Sequence, residues 1–349
     1  MEDAAPFLSA GFVDLQVNGY AGHDLNADVP SLETLEQLAR HLLRAGVTCF
    51  APTLITASEE SLCEALGGIA AAKRESPLLA EMIGFVHVEG PSLDPADGPR
   101  GAHPLEHVRA PNIDEFARWQ RAAEGMIGLV TLSPHYAEAP AYIAELTGQG
   151  VLVSIGHTGA TPEQITAAVD AGASLSTHLG NGAASVLPRH PNFVWAQLSD
   201  DRLTASFIAD GHHLPAATLK AMLRAKTLDN SILVSDAAAL GGQPPGRYRS
   251  AIGGEVDVSA DGRLSVADTP YLAGAGHLLD RNIAYAIEAG EISLAQALTL
   301  ATCNPGRFVA GRGVLAPGQR ADITLFSWAP GDEKLTIEDV FLGGERLLA

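Results

Sequence analysis

The chain has 349 residues, 46% of them hydrophobic, enough to bury one large α/β core with a small appendage. Its formal net charge of −19 argues against nucleic acid and anionic membranes as partners, although a local cluster can still serve an anionic small molecule. Cys49, Cys63 and Cys303 form no C-x-x-C pair, no run of ~18 apolar residues suggests a span, and the acidic N-terminus lacks the basic start of a signal peptide, so a cytoplasmic location is expected.

Eight short apolar runs alternate with helical patterns. They cover 12–19, 48–55, 82–90, 128–134, 151–157, 175–181, 204–211 and 232–237. Leu32, Leu35, Leu38, Ala39, Leu42 and Leu43 follow the spacing of an amphipathic helix. So do Leu62, Leu66, Ile69 and Ala70, the pair Ile143 and Leu146, and Leu219, Met222 and Leu223. Thr161 and Pro162 start a further helix with a cap residue and a proline in the first turn. This alternation predicts a (β/α)8 barrel, with a doubly wound open sheet as the alternative. After Ala237 the texture changes. Residues 241–270 read as a loop followed by short antiparallel strands, and helices are expected at about 277–289 and 293–302. The expected division is a barrel over 10–307 and a small β subdomain over 308–349, to which residues 1–9 can be added. No obvious N-terminal partner for its strands is visible, because the barrel begins almost at once.

Polar residues collect where the strands run out. They are Asp14, Gln16 and Asn18; His87 and Glu89; His157; His178 and Asn181; Asp210, His212 and His213; and Asp236. In a barrel all of them fall on the C-terminal, catalytic face. His157 and His178 end consecutive strands, one βα unit apart. With Glu89 they can provide the one-carboxylate, two-imidazole shell of a catalytic divalent metal, which lowers the pKa of a water towards ~7. Asp236 is then placed to be the general base that takes a proton from water and returns it to a leaving group. The plainer alternatives are a helix cap for Asp236 and a loop-ordering carboxylate before Pro91 for Glu89. Strand one carries Gln16 and Asn18, and amides are poor ligands for soft divalent metals. Lys73, Lys220, Lys226 and Lys334 end no predicted strand. One metal ion per chain is therefore expected, zinc first, with iron, cobalt or manganese as alternatives.

The segments GFVDLQVNG, APTLIT, HVEGP, GHTGAT, THLGN, IADGHH and VSDA occur in this order over about residues 10–325. Together they resemble the N-acetylglucosamine-6-phosphate deacetylases of the amidohydrolase superfamily, in their one-metal form. The resemblance implies the metal ligands Glu89, His157 and His178, with Asp236 as acid/base. It implies that Ala102 and His103 hold the acetamide and that His103 polarises its carbonyl. It further implies sugar-phosphate contacts from Asn181, Gly182, Arg189 and His213, and a loop over the sugar at Leu272, Ala273 and Gly274. An arginine like Arg189 serves the neighbouring subunit's phosphate in the family, so a homodimer is implied. The implied reaction is hydrolysis of the N-acetyl group of N-acetylglucosamine 6-phosphate. Departures from the family pattern at Gly180, Gly182, His190, His212 and Ala275 all fall on the substrate side. An N-acetylgalactosamine-type sugar phosphate, another N-acyl substrate and a non-catalytic sugar-phosphate-binding homologue therefore stay as alternatives. The family also carries a strand-rich N-terminal segment of roughly 45 residues that this chain lacks, so the start is displaced or the β subdomain reduced.

Overall fold

In the computed structural model, which describes residues 6–347, the apolar runs become eight parallel strands. They are β1 (Phe12–Val17), β2 (Val47–Ile55), β3 (Val86–Glu89), β4 (Ile127–Leu132), β5 (Leu152–Ile155), β6 (Leu175–Ser176), β7 (Thr204–Phe207) and β8 (Ser231–Leu233). Every residue of β1 and β2 is buried, as expected where side chains fill a barrel on one face and helices cover the other. The strands pair in chain order, with Ile55 opposite Glu89, Glu89 opposite Thr131 and Thr131 opposite Ser154. The sheet closes beyond β8. Asp236 donates its N–H to the Gln16 carbonyl at 3.0 Å, and Asn18 donates to the Ala237 carbonyl at 2.8 Å. The result is a nearly closed barrel, and the open doubly wound sheet is discarded.

Local signals explain the helices between the strands. Ser31 caps Leu32–Arg44 by accepting from the Thr34 N–H, and Leu35, Leu38, Ala39, Leu42 and Leu43 are its buried stripe. Thr161 and Gln164 form a reciprocal capping box on Pro162–Asp170. That helix returns the chain from β5 to β6, and so sets the spacing of the two strand ends that carry His157 and His178.

Two antiparallel sheets flank the barrel. Gly246–Ser250, Gly254–Val258 and Leu264–Val266 form one, and its apolar side packs on Ile55, Ala238 and Ala273 at the barrel mouth. The other contains Phe7–Ala10, Ile323–Ser327, Thr336–Leu342 and Glu345–Leu347. Phe7–Ala10, mostly within the 1–9 stretch that could be added to the subdomain, is an N-terminal partner that the sequence does not make obvious. It pairs with Ile323–Ser327, and Phe7 stacks on Phe326 with ring centroids 5.6 Å apart. Four residues are too few to show an alternation, and their partner lies more than 300 positions away. Residues 1–5 and 348–349 of the expected subdomain lie outside the described residues. Among the described residues no helix is long and apolar enough to cross a membrane.

Candidate metal centre and catalytic site

The barrel brings Glu89, His157 and His178 together. Glu89 Oε1 lies 3.3 Å from His157 Nε2 and 3.0 Å from His178 Nε2, and all three side chains are buried. Glu89 is the last residue of β3, whereas both histidines follow their strands with left-handed backbones, at φ 49° and 28°. For non-glycine residues this conformation costs energy, and it gathers where function demands it. His178 is held by a hydrogen bond from its N–H to Ser206 Oγ at 2.7 Å, which replaces a ladder bond. This ends β6 at Ser176, well short of the run expected over 175–181.

These donors suit a divalent cation. His157 Nδ1 lies 2.8 Å from the Pro99 carbonyl. A carbonyl only accepts, so in the neutral ring the proton sits on Nδ1 and Nε2 turns a lone pair towards the Glu89 carboxylate. His178 Nδ1 is buried without a hydrogen-bond partner among the described residues. Two imidazole nitrogens and a carboxylate oxygen, all within 4.8 Å of one another, match the donor set of a catalytic divalent site. Burial opposes ionisation of Glu89, yet the two imidazoles of His157 and His178 beside it hold its carboxyl well below the usual carboxylate range. Gln16 and Asn18 point donors, not ligand atoms, into the site. Gln16 Nε2 donates to Glu89 Oε1 at 3.0 Å and Asn18 Nδ2 donates to Asp236 Oδ1 at 2.7 Å.

Asp236 stands beside this cluster, buried and left-handed at φ 50°. Burial first, then the charge of Glu89, pushes its carboxyl up to about 6, so it exchanges protons near neutral pH. His103 closes another side. Its ring lies against that of His157 with centroids 4.4 Å apart, and its Nδ1 is 2.9 Å from Thr56 Oγ1. Burial, then the neighbouring His157, pushes this imidazole down to about 3, so it is neutral at pH 7. When the Thr56 hydroxyl donates to Nδ1, the neutral ring carries its proton on Nε2. His213 is oriented by Asp210, its Nδ1 2.7 Å from Asp210 Oδ2. Burial opposes the charge on Asp210, and His213 holds it well below the carboxylate range.

A cavity of about 240 Å3 opens on Glu89, His103, His157, His178, His213 and Asp236. Ala102, Asn181, Gly182, Leu272 and Gly274 also line it. Ala273 does not, because its side chain is buried among Ile252, Val256 and Leu264 behind the wall. Arg189 is exposed, lies off the cavity wall, and forms no ion pair among the described residues. Of the substrate-side departures, Gly180 and Gly182 face the cavity while His190, His212 and Ala275 do not. Gly182 has a separate reason to be glycine. At φ 57°, a Cβ there would lie 2.7 Å from His157 Nδ1. Thr56, Pro99 and Ser206 were missed by sequence reasoning. A backbone carbonyl carries no residue signature, and the hydroxyls are 47 and 28 positions from the residues they hold. His87 shares a barrel face with Glu89 but sits a layer lower, bonded to Thr131 Oγ1 at 2.8 Å and pushed down to about 4 by burial.

Residues 7–347 match the Amidohydrolase family. The chain belongs to that family. Within it, the chain is similar to the N-acetylgalactosamine-6-phosphate deacetylase of Escherichia coli O157:H7, at 32% identity over 99% of this chain and 88% of the relative. It is 33% identical to the N-acetylglucosamine-6-phosphate deacetylase of Bos taurus, over 97% of this chain and 82% of that one. The crystal structure of N-acetyl-D-glucosamine-6-phosphate deacetylase from Mycobacterium smegmatis superposes with a TM-score of 0.89 at 30% identity, covering 99% of this chain and 88% of the other.

Proposed function

We propose that this chain hydrolyses the N-acetyl group of an N-acetylhexosamine 6-phosphate, N-acetylglucosamine 6-phosphate first, releasing acetate and the amino sugar phosphate. The observation that carries the reading is one buried cluster, Glu89, His157 and His178, with the proton-exchanging Asp236 beside it. Near-full-length likeness to deacetylases of amino sugar phosphates supplies the substrate class.

Glu89, His157 and His178 hold one divalent ion, zinc by preference, and when bound it supplies Lewis acidity towards the carbonyl and the attacking water. Asp236 takes a proton from that water and delivers it to the departing amine nitrogen. His103 donates from Nε2 to the carbonyl oxygen as negative charge develops there. Asn181, Gly182, Ala102, Leu272 and Gly274 shape the cavity around the sugar, and Ala273 backs that wall. The Asp210–His213 pair turns an imidazole donor to the phosphate. Arg189 grips phosphate bidentately from a neighbouring copy. The exposure of Arg189 supports this dimer, as do Val186 at 84% and Trp195 at 54% exposure on the same segment. A reducing cytoplasm suits the scattered free cysteines.

The galactosamine epimer is a second reading, because the Escherichia coli and Bos taurus relatives are equally similar to this chain within 1% identity. Acetate release measured on both 6-phosphates and on unphosphorylated N-acetylglucosamine, with metal analysis, tests the proposal. The expected result is about one metal ion per chain and highest kcat/KM on N-acetylglucosamine 6-phosphate. A preference for the galactosamine epimer reassigns the sugar, and equal rates without phosphate point to another N-acyl substrate. Bound metal with no acetate from any substrate overturns the enzymatic reading.

A further inference from the structure

The left-handed backbone at Asp236 is held by neighbours that do not reach the cavity. Asp14 and Ser235 are both fully buried, and neither lines it. Asp14 Oδ1 accepts the Ser235 N–H at 3.1 Å and the Gln16 N–H at 3.3 Å, so a carboxylate oxygen stands where a strand carbonyl normally accepts. On the other side of residue 236, Ser235 Oγ accepts the Ala237 N–H at 3.2 Å and donates to the Gln16 carbonyl at 3.3 Å. That carbonyl also accepts the Asp236 N–H. The N–H groups of Ser235 and Asp236 are thus pinned to β1 across the seam, and the Ala237 N–H is held by the Ser235 hydroxyl. A buried carboxylic group is a costly way to fill a seam, and Asp14 Oδ2 has no hydrogen-bond partner among the described residues. An apolar residue fills that volume better but cannot accept the Ser235 N–H.

We propose that Asp14 and Ser235 are positioning residues that hold Asp236 in its left-handed backbone conformation, with its carboxylate aimed at the cluster of Glu89, His157 and His178. The inference rests on the reading of Asp236 as the proton carrier. A carboxylate displaced by a fraction of an ångström still sits in the cavity but transfers protons poorly. The loss then falls on kcat rather than on KM.

Ser235→Ala and Asp14→Ala are expected to lower kcat about tenfold or more with KM and metal content unchanged. Asp14→Asn keeps an acceptor oxygen and is expected to stay within about threefold of wild type. A second readout needs no catalysis. Glycine at 236 tolerates the left-handed conformation and alanine does not. Removal of the Ser235 hydroxyl is therefore expected to lower the melting temperature more in an Asp236→Ala background than in an Asp236→Gly background, by about 2 °C. Wild-type kcat in Asp14→Ala and Ser235→Ala, equal losses in Asp14→Ala and Asp14→Asn, or equal melting losses in the two backgrounds overturn the proposal. If instead Asp236→Asn keeps full activity, the proton-carrier reading fails, while the melting comparison still reports on the backbone.

Discussion

The two sides of the barrel mouth are built differently. On the metal side, Glu89, His157, His178 and Asp236 are buried, and each accepts or donates a hydrogen bond from a different strand or loop. On the substrate side, residues 180–192 carry glycines at 180 and 182, exposed Val186 and Arg189, and few side-chain bonds. A reaction centre needs fixed geometry, and fixed geometry needs neighbours that specify it. A sugar-phosphate subsite has room to vary, since its contacts are made one by one with a ligand. Of the departures from the family pattern, His190 falls on this loosely held stretch, whereas Gly182 is the exception within it, set against His157, and Ala275 is buried outside it with its N–H on the Asp236 carbonyl.

The largest expected effect is on the metal side. Asp236→Asn should lower kcat by about a thousandfold while metal content stays unchanged. Retained activity would place the proton chemistry elsewhere. Gly182→Ala tests the exception, because it presses a methyl group on the His157 ring. Metal affinity should fall by about 10–100-fold, read by titration with a chelator. Unchanged affinity would show that the loop yields and belongs wholly to the flexible side. Arg189→Ala should raise KM for the phosphorylated substrate about tenfold with kcat little changed. No effect would remove the neighbouring-copy contact. The smallest effect is in pH. Asp236 must be deprotonated to accept a proton, so kcat/KM should fall as pH drops through its pKa. Burial and Glu89 push that value up to about 6, and a bound cation pulls it back, so the acidic limb should lie at or below about pH 6. A limb well above pH 7 would assign it to another group.

The strand-end residues were legible because a barrel puts every strand end on one rim, and a short apolar run announces where it ends. Their supports were not. The Ser235 N–H reaches Asp14 across 221 positions, and the Asn18 amide reaches Asp236 across 218. Neither partner carries a local pattern, because only closure of the barrel makes them neighbours. Strand length was overread for the same reason. Leu179 continues the apolar run, but the turn at His178 breaks the ladder. Ala273 sits in a segment whose neighbours line the cavity, and only packing shows that its methyl faces away. Phe7–Ala10 became readable as a strand only once Ile323–Ser327 was beside it.

The most direct measurement follows acetate and free amine together as the metal-loaded protein acts on N-acetylglucosamine 6-phosphate, before and after chelation. Hydrolysis of the N-acetyl group should yield equal amounts of acetate and amine, lost on chelation and restored by one equivalent of zinc. Metal-loaded protein that releases neither product from this sugar or its galactosamine epimer would contradict it.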